Sequence, residues 1–292
     1  MNDKAILFYD SGVGGLSYLS WLAEREPEER FVYFADTGNF PYGEKAAEEL
    51  LSIILLQMNK LIERVDPKMA VIACNTASVV ALNKLREKFC IPFVGTVPAI
   101  KTAAGRSIPD SKNSNENSSG SFSVGESVRI GLLATSRTVT DRYTDRLIDD
   151  FASHCEIFRY GAGELVRFVE RNLFSSTFEE RMEFLQPVAD YFIEKKIDAL
   201  VLGCTHFIFL KEELAALMGE SVEIVDSVDG VGRQIQRILH VAGRRSLSAN
   251  SNACDSIDEN KHIFLTSQGE ENDLLRLTDF AHRFRLEYGG DI

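Results

Sequence analysis

The chain has 292 residues, of which 45% are hydrophobic, and it carries a formal net charge of −12. That length is enough for one large or two moderate domains with buried cores. The negative charge disfavours nucleic acid as a partner, because the phosphate backbone selects basic surfaces. The apolar runs are shorter than the ~18 residues of a membrane helix, and the N-terminus lacks a secretory signal pattern. We therefore expect a cytoplasmic protein without a membrane or nucleic-acid partner.

The five cysteines are the second compositional clue. They form no CxxC pair and no paired framework, and an odd number suggests free thiols in a reducing compartment. The cysteines and the five histidines also lack the close ligand spacing of a zinc site. The sequence therefore predicts free thiols and no bound metal.

Short strand-like runs alternate with helical runs along the first half of the chain. The run that ends at Asp10 predicts a strand, and it leads through the turn SGVGG into a helix with Leu16, Leu19 and Leu22 on one face. Two more strands are predicted at 31–36 and 69–73. Helices are predicted at 45–65 and at about 76–88.

The second half of the chain repeats this plan. Strands are predicted at 129–135, 156–160, 198–203, 222–226 and 262–266, and helices at 138–151, 164–172, 178–195, 228–243 and 271–286. Two stretches rich in Ser, Asn and Gly, at 105–127 and 244–260, are interpreted as surface insertions, the first as a mobile loop. The alternation predicts an α/β protein whose parallel sheets are covered on both faces.

Two of the cysteines occupy matching positions in this pattern. The runs VIACNTAS and LVLGCTHFIFL place Cys74 and Cys204 after a buried strand and before a helix, where α/β sheets bind ligands. The positive end of a helix dipole favours a thiolate there. We therefore predict two doubly wound parallel-sheet lobes with a pseudo-twofold relation and an active site in the cleft between them. Residues 1–97 plus 208–292 would form the lobe that carries Cys74, and 98–207 the lobe that carries Cys204.

Each of these features also has a purely structural interpretation. A cysteine after an apolar strand is usually a small buried hydrophobe. That interpretation suits the other cysteines, Cys90, Cys155 and Cys254. It is weaker for Cys74 and Cys204, because their polar neighbours are poor choices for a core. Asp10 could simply cap the following helix, His206 could be structural, and DSGVGG could be a tight turn, since it matches no nucleotide-binding loop.

The chain resembles bacterial glutamate racemases in six segments, in this order: FYDSGVGGLSYL, YFADTGNFPYGEK, VIACNTAS, VGTVPAIKTA, LVLGCTHFIFL and VDSVDGVG. The resemblance implies two α/β lobes with the active site between them. It also implies cofactor-independent interconversion of L- and D-glutamate, which supplies D-glutamate for peptidoglycan. The chain departs from the family pattern at Phe207 and Ile208, where Tyr-Pro is usual, and at Ala162 and Gly163, where Cys-Pro is common.

The resemblance further implies roles for individual residues. Cys74 and Cys204 would be the two catalytic acid/base groups, assisted by Asp10 and His206 respectively. A helper glutamate near Cys204 falls on Glu170, with Glu164 as the alternative, because the family segment aligns loosely with GAGELVRFVERN. The implied substrate contacts are Asp10, Ser11, Tyr42, Gly43, Asn75, Thr76, Thr205 and His206.

The chemistry explains why two thiols would be needed. Inversion requires removal of the α-proton from one face and return of a proton to the other, so one sulfur must be a thiolate while the other is a thiol. Without pyridoxal phosphate as an electron sink, hydrogen-bond donors around the carboxylate would stabilise the carbanion. The alternatives are a racemase of another amino acid such as aspartate, a thiol redox protein, and an amino-acid-binding protein without turnover. A homodimer is a further expectation.

Overall fold

The computed structural model describes residues 4–106, 127–245, 262–267 and 271–292. Most of the predicted mobile loop at 105–127 and of the predicted insertion at 244–260 lies outside these residues. Among the described residues, none of the helices combines the length and the apolar character that a membrane span requires. The cytoplasmic location stays a prediction.

The larger of two parallel sheets contains six strands. They are β1 (Ile6–Asp10), β2 (Phe31–Ala35), β3 (Met69–Ile72), β4 (Phe93–Gly95), β9 (Ile263–Thr266) and β10 (Glu287–Asp291). Their order across the sheet is β10-β9-β2-β1-β3-β4, and every neighbouring pair is parallel. The central strands ILFYD, FVYFA and MAVI are buried along their whole length, because helices cover both faces of a parallel sheet.

The smaller sheet contains four parallel strands. They are β5 (Arg129–Ala134), β6 (Glu156–Gly161), β7 (Ala199–Leu202) and β8 (Glu223–Val225), in the order β6-β5-β7-β8. The helices that connect the strands of both sheets are α1 (Leu16–Arg25), α2 (Ala47–Val65), α3 (Asn75–Lys88), α4 (Ile100–Arg106), α5 (Ser136–Thr140), α6 (Arg142–Phe151), α7 (Gly163–Asn172), α8 (Phe178–Glu194), α9 (Lys211–Met218), α10 (Val228–Arg245) and α11 (Glu271–Arg283). The α/β class and the parallel sheets confirm the sequence prediction.

The two sheets repeat one topology. In each, the first strand lies between the second and the third, and the fourth lies beyond the third: β2-β1-β3-β4 and β6-β5-β7-β8. The end of β3 is therefore equivalent to the end of β7, and the end of β1 to the end of β5. Cys74 and Cys204 follow β3 and β7, so the two thiols hold equivalent positions in the two sheets. This repeat supports the predicted pseudo-twofold relation.

A shared hydrophobic core connects the two sheets. Leu16 and Leu19 of α1 belong to the same buried cluster as Phe207 and Leu210, which follow β7. Complete burial of a large side chain such as Phe207 contributes about 2 kcal/mol relative to exposure. The core thus extends beneath the segment that carries Cys204.

Several predicted elements differ from the observed ones. The helix predicted at 138–151 is two helices, α5 and α6, because the Asp141 carboxylate accepts the Tyr143 N–H at 2.8 Å and so caps a new helix. Cys204 is followed by a 3-10 turn at Thr205–Leu210 and only then by α9, so the α-helix predicted directly after Cys204 is wrong. The last helix ends at Arg283, before the unpredicted strand β10.

The sheets also bear on the division of the chain into lobes. Strand β8 lies beyond the predicted boundary at 207/208, yet it pairs with β7 in the smaller sheet. We therefore propose that the lobe carrying Cys204 extends through β8, and that α10, β9, α11 and β10 complete the other lobe.

Candidate active site

Residues that follow the strands of both sheets line a single cleft. It contains about 590 Å³ of space, part of which is open to solvent. Of the predicted site residues, all except Asp10 and Glu170 line it. The lining residues from that set are Ser11, Tyr42, Gly43, Cys74, Asn75, Thr76, Cys204, Thr205 and His206. The structure therefore brings both thiols to one cavity from equivalent strand ends.

Cys74 occupies the N-cap position of α3 and is 6% exposed. Its Sγ lies 3.8 Å from the hydroxyl of Ser11. Burial raises the pKa of the Cys74 thiol well above its usual value, and the charge of Asp10 raises it further. The backbone N–H of Ala77, at the start of α3, lowers this pKa only in part. The predicted preference for thiolate at the helix N-terminus is therefore outweighed, and these effects favour the thiol form of Cys74.

Asp10 ends β1 and lies fully buried behind Ser11. Its Oδ1 accepts the Ser11 N–H at 2.6 Å and the Ser11 hydroxyl at 3.2 Å, and its Oδ2 accepts the Gly15 N–H at 2.5 Å. The hydroxyls of Tyr33 and Thr205 lie 3.3 and 3.4 Å from the same Oδ2. Because both oxygens are occupied by protein donors, this position does not fit the predicted direct contact between Asp10 and a substrate. It links Asp10 to Cys74 through the Ser11 hydroxyl.

Cys204 faces a buried histidine and glutamate. Its Sγ lies 3.9 Å from His206 Nδ1, and His206 Nε2 lies 2.7 Å from Glu170 Oε1. Burial lowers the pKa of His206, but the contacts with Cys204 and Glu170 outweigh burial and raise it well above its usual value. Burial raises the pKa of Glu170, but His206 and Arg276 outweigh burial and hold it below its usual value. Both shifts favour an imidazolium paired with a carboxylate.

The structure distinguishes the two candidate helper glutamates. Helix α7 buries Leu165, Val166, Val169 and Glu170 on one face, and Glu170 is 3% exposed. Glu164 lies on the exposed side of the same helix. Only Glu170 therefore contacts His206, which agrees with the preferred alignment of this segment.

The glycines of the DSGVGG turn allow the close approach of the two lobes. A Cβ atom at Gly12 would lie 1.8 Å from Glu170 Oε1, and a Cβ at Gly14 would lie 2.5 Å from His206 Nδ1 and 2.4 Å from Thr205 Oγ1. Any side chain at either position would therefore displace the groups behind Cys204.

Tyr42 and Gly43 line the cleft from a turn that follows β2. The Tyr42 hydroxyl hydrogen-bonds to the Asp36 carboxylate and lies 2.6 Å from the hydroxyl of Tyr9. Tyr42 is buried, so this network holds the 42–43 turn against the larger sheet and leaves other atoms of the turn to line the cavity. A Cβ at Gly43 would approach Thr135 to 3.3 Å, which places this turn close to the smaller sheet.

Polar groups from both lobes also line the cleft and contact one another. Asn75 Nδ2 donates to the carbonyl of Gly203 at 2.6 Å, which ties the start of α3 to the residue before Cys204. Asn75 Oδ1 is buried without a hydrogen-bond partner. Thr76 Oγ1 lies 3.4 Å from Thr135 Oγ1. No lysine or arginine of the described residues lines this cleft.

Sequence reasoning missed some residues of the site. Thr135 and Ser136 line the cleft directly after β5, at the positions equivalent to Ser11 and Gly12 after β1. The signal was available, because the run RIGLLATS ends in small polar residues just as VIACNTAS does. Arg276 of α11, which contacts Glu170, carried no such signal.

Comparison with known proteins agrees with this geometry. The model of the Asp/Glu/hydantoin racemase family matches residues 32–232. The chain belongs to this racemase family. A glutamate racemase from Shewanella sp. (strain MR-7) is 37% identical over 236 residues, which cover 81% of this chain and 79% of that protein. One from Vibrio vulnificus (strain YJ016) is 37% identical over 241 residues, which cover 82% of each chain.

A solved racemase extends the comparison to three dimensions. The structure of Escherichia coli glutamate racemase in complex with L-glutamate and the activator UDP-MurNAc-ala is similar to this racemase with a TM-score of 0.79 and 31% sequence identity. The similarity covers 99% of this chain and 98% of that chain. The predicted family and the two-lobed fold are thereby confirmed.

Proposed function

We propose that this racemase interconverts L- and D-glutamate, with Cys74 and Cys204 as acid/base groups on opposite faces of the α-carbon. The observation that carries the proposal is that two buried thiols, from equivalent strand ends of two sheets, line one cleft. The glutamate racemases among its relatives support glutamate as the substrate. A role in supplying D-glutamate for peptidoglycan follows from the family.

In the Cys74 half of the reaction, a proton would move between Cys74 and Asp10 through the Ser11 hydroxyl. Because burial keeps Cys74 a thiol, it can donate a proton to the carbanion directly. To act as a base, it must first lose that proton. The Ser11 hydroxyl is in contact with both Cys74 Sγ and Asp10 Oδ1, and burial raises the pKa of Asp10 to about 6 while the charge of His206 lowers it in part. Asp10 can therefore take up a proton near neutral pH through Ser11.

The Cys204 half would use an imidazole. His206 directs Nδ1 at the sulfur and Nε2 at the Glu170 carboxylate. An imidazolium at this position can stabilise a Cys204 thiolate, and an imidazole can accept the thiol proton. Glu170 fixes the orientation of the ring, as a third group does in other acid/base pairs.

Neutral groups and the imidazolium of His206 would hold the amino-acid substrate. The free Oδ1 of Asn75 is a suitable acceptor for the substrate ammonium. The hydroxyls of Thr76, Thr135 and Thr205 are suitable donors to a carboxylate, and they would stabilise the charge that develops as the α-proton leaves. An anion can thus bind in this acidic protein without a lysine or arginine in the cleft.

A circular-dichroism assay without added cofactor tests the proposal. We expect purified protein to bring L-glutamate and D-glutamate to the same final signal, and to leave aspartate unchanged on that time scale. Replacement of Cys74 or Cys204 by Ser should lower kcat by at least ~10³-fold, because each removes one acid/base group. Cys90→Ser is the matched control, since Cys90 is exposed and does not line the cleft.

The outcomes separate the alternatives. Turnover of aspartate and not glutamate would keep the mechanism and reject the substrate. Binding of glutamate without a change in optical signal would indicate a binding protein. Full activity of Cys74→Ser would reject the two-thiol mechanism, and formation of a Cys74–Cys204 disulfide during turnover would favour thiol redox chemistry. The homodimer stays a prediction.

A further inference from the structure

Arg276 connects the C-terminal helix to the groups behind Cys204. Its Nη1 donates to both the carboxylate Oε2 and the backbone carbonyl of Glu170, each at 2.6 Å. Its Nη2 and Nε lie 3.0 and 3.3 Å from the carboxylate of Asp273, one turn earlier on α11. The guanidinium is therefore held in one orientation, with one edge on Glu170 and the other on Asp273.

The Glu170 carboxylate is anchored on both oxygens by the lobe that carries Cys74. Oε2 accepts from Arg276 of α11, and Oε1 accepts the Val13 N–H at 2.7 Å from the turn after β1. Glu170 itself belongs to α7 of the other lobe. The orientation of His206 toward Cys204 thus depends on contacts that cross between the lobes.

We propose that Arg276 is a positioning residue for the Cys204 half of the reaction, because its charge keeps the shared proton on His206 instead of Glu170. This inference rests on the proposed function. Two arrangements of one proton are available to the pair: imidazolium with carboxylate, or neutral imidazole with carboxylic acid. A guanidinium in contact with the carboxylate stabilises the first arrangement and disfavours the second.

The surrounding charges are consistent with this role. The titratable groups that face the Glu170–His206 pair are Asp10 from β1, Tyr33 from β2 and Cys204, and each is neutral or negative. Apart from His206 itself, Arg276 is the cation in contact with Glu170 among the described residues, and its side chain is 21% exposed. Without Arg276, the buried carboxylate of Glu170 would have one fewer charged hydrogen-bond donor.

A structural role alone would be the simpler explanation. An ion pair between α11 and α7 could merely dock the C-terminal helix on the other lobe. The two explanations differ in one observable, which is the location of the proton on the pair. If Arg276 only docks α11, its replacement should lower stability and leave the protonation state of His206 unchanged. If Arg276 is a positioning residue, its replacement should change the protonation state of His206 in a protein that stays folded.

Three variants test the difference. Arg276→Gln keeps a shorter hydrogen-bonding side chain and removes the charge. Arg276→Lys restores the charge but lacks the planar guanidinium that can donate several hydrogen bonds in fixed directions. Arg283→Gln is the matched control, because Arg283 lies on the same helix and pairs with Asp279, and its guanidinium lies over Phe174. All three are measured as full-length protein, with thermal melting to confirm folding.

Nitrogen NMR of protein labelled at its five histidines reports the proton directly. We expect His206 to be doubly protonated at neutral pH in wild type and in Arg283→Gln, and to shift toward neutral imidazole in Arg276→Gln. The kcat of Arg276→Gln should fall by about 10- to 100-fold with a smaller change in KM, and Arg276→Lys should recover part of the loss.

The results separate this inference from the proposed function. Wild-type protein that fails to racemise glutamate rejects the function, whatever the NMR shows. An active wild type with an unchanged His206 signal in Arg276→Gln rejects the positioning role, and so does an equal loss of kcat in Arg283→Gln. A folded Arg276→Gln variant with a shifted His206 signal and reduced kcat supports it.

Discussion

Asp10 connects the stability of the protein to the candidate site, and replacing it with Asn gives a quantitative test. Burial raises the pKa of this carboxyl from 3.8 to about 6, while the charge of His206 lowers it in part. The folded protein therefore binds a proton at Asp10 more tightly than the unfolded chain does. The stability that comes from this proton is fully present below the unfolded pKa and is lost as the pH rises through about 6.

The magnitude follows from the same two values. The interval from 3.8 to about 6 is roughly two pH units, which corresponds to about 3 kcal/mol at 1.36 kcal/mol per unit. Asp10→Asn removes the titration, although it also changes hydrogen bonds to Ser11 and Gly15 that do not depend on pH. Because pH 4 is still just above the unfolded pKa, we expect the free energy of unfolding of wild type, minus that of Asp10→Asn, to fall by about 2 kcal/mol between pH 4 and pH 7.

Urea denaturation of both proteins at closely spaced pH values measures this difference. Titrating groups that do not interact with Asp10 cancel, because they are present unchanged in both proteins. Asp150→Asn removes an exposed carboxylate of α6 and is the matched control. A difference that stays constant within about 1 kcal/mol across this pH range would refute the reasoning, since Asp10 would then titrate alike in the folded and unfolded chains.

Three further substitutions test the geometry of the cleft. Ser11→Ala removes the hydroxyl that contacts both the Asp10 carboxylate and the Cys74 thiol. The kcat measured by circular dichroism should therefore fall about 10- to 100-fold, with a smaller change in KM. Gly14→Ala forces a Cβ to within 2.5 Å of the His206 imidazole, so activity should be lost and urea unfolding should show a loss of about 1–3 kcal/mol. Gly230→Ala, where a Cβ meets nothing within 4 Å, should be neutral or slightly stabilising. Glu170→Gln should lower kcat while Glu164→Gln leaves it unchanged, and the reverse result would assign the helper role to the exposed glutamate.

The strand-end thiols could be predicted from sequence for a physical reason. A buried parallel strand is a continuous apolar run, so the first polar residue after it marks the edge where ligands bind. That rule finds Cys74 and Cys204, and it would also have found Thr135. Glu170 was implied only by the resemblance, although its place on the apolar face of α7 with Leu165 and Val169, where an unpaired charge would be costly, is a signal that sequence reasoning did not use.

Other features could not be predicted because they depend on contacts between distant segments. Arg276 and Glu170 are 106 positions apart, and nothing in the sequence near either residue indicates the other. Strands β4 and β10 were missed because the first has only three residues and the second contains two glycines, so both depend on pairing with a neighbouring strand. The net pKa of Cys74 also depends on burial and on Asp10, which outweigh the local effect of the helix.

The two halves of the cleft are equivalent in topology but different in chemistry, and this has a kinetic consequence. Cys74 faces the hydroxyl of Ser11, whereas Cys204 faces the imidazole of His206. In the proposed mechanism the two enzyme–substrate complexes place the base on different sulfurs. Their free energies should therefore differ, and kcat and KM should differ between L- and D-glutamate. Enantiomers have equal free energies in water, so the equilibrium constant is unity and kcat/KM must be the same in both directions. We therefore expect the ratio of the two kcat values to equal the ratio of the two KM values in wild type and in Arg276→Gln, with a different ratio in each. Progress curves from both enantiomers measure this. Identical kcat values in both directions, unchanged by Arg276→Gln, would contradict a chemical difference between the halves.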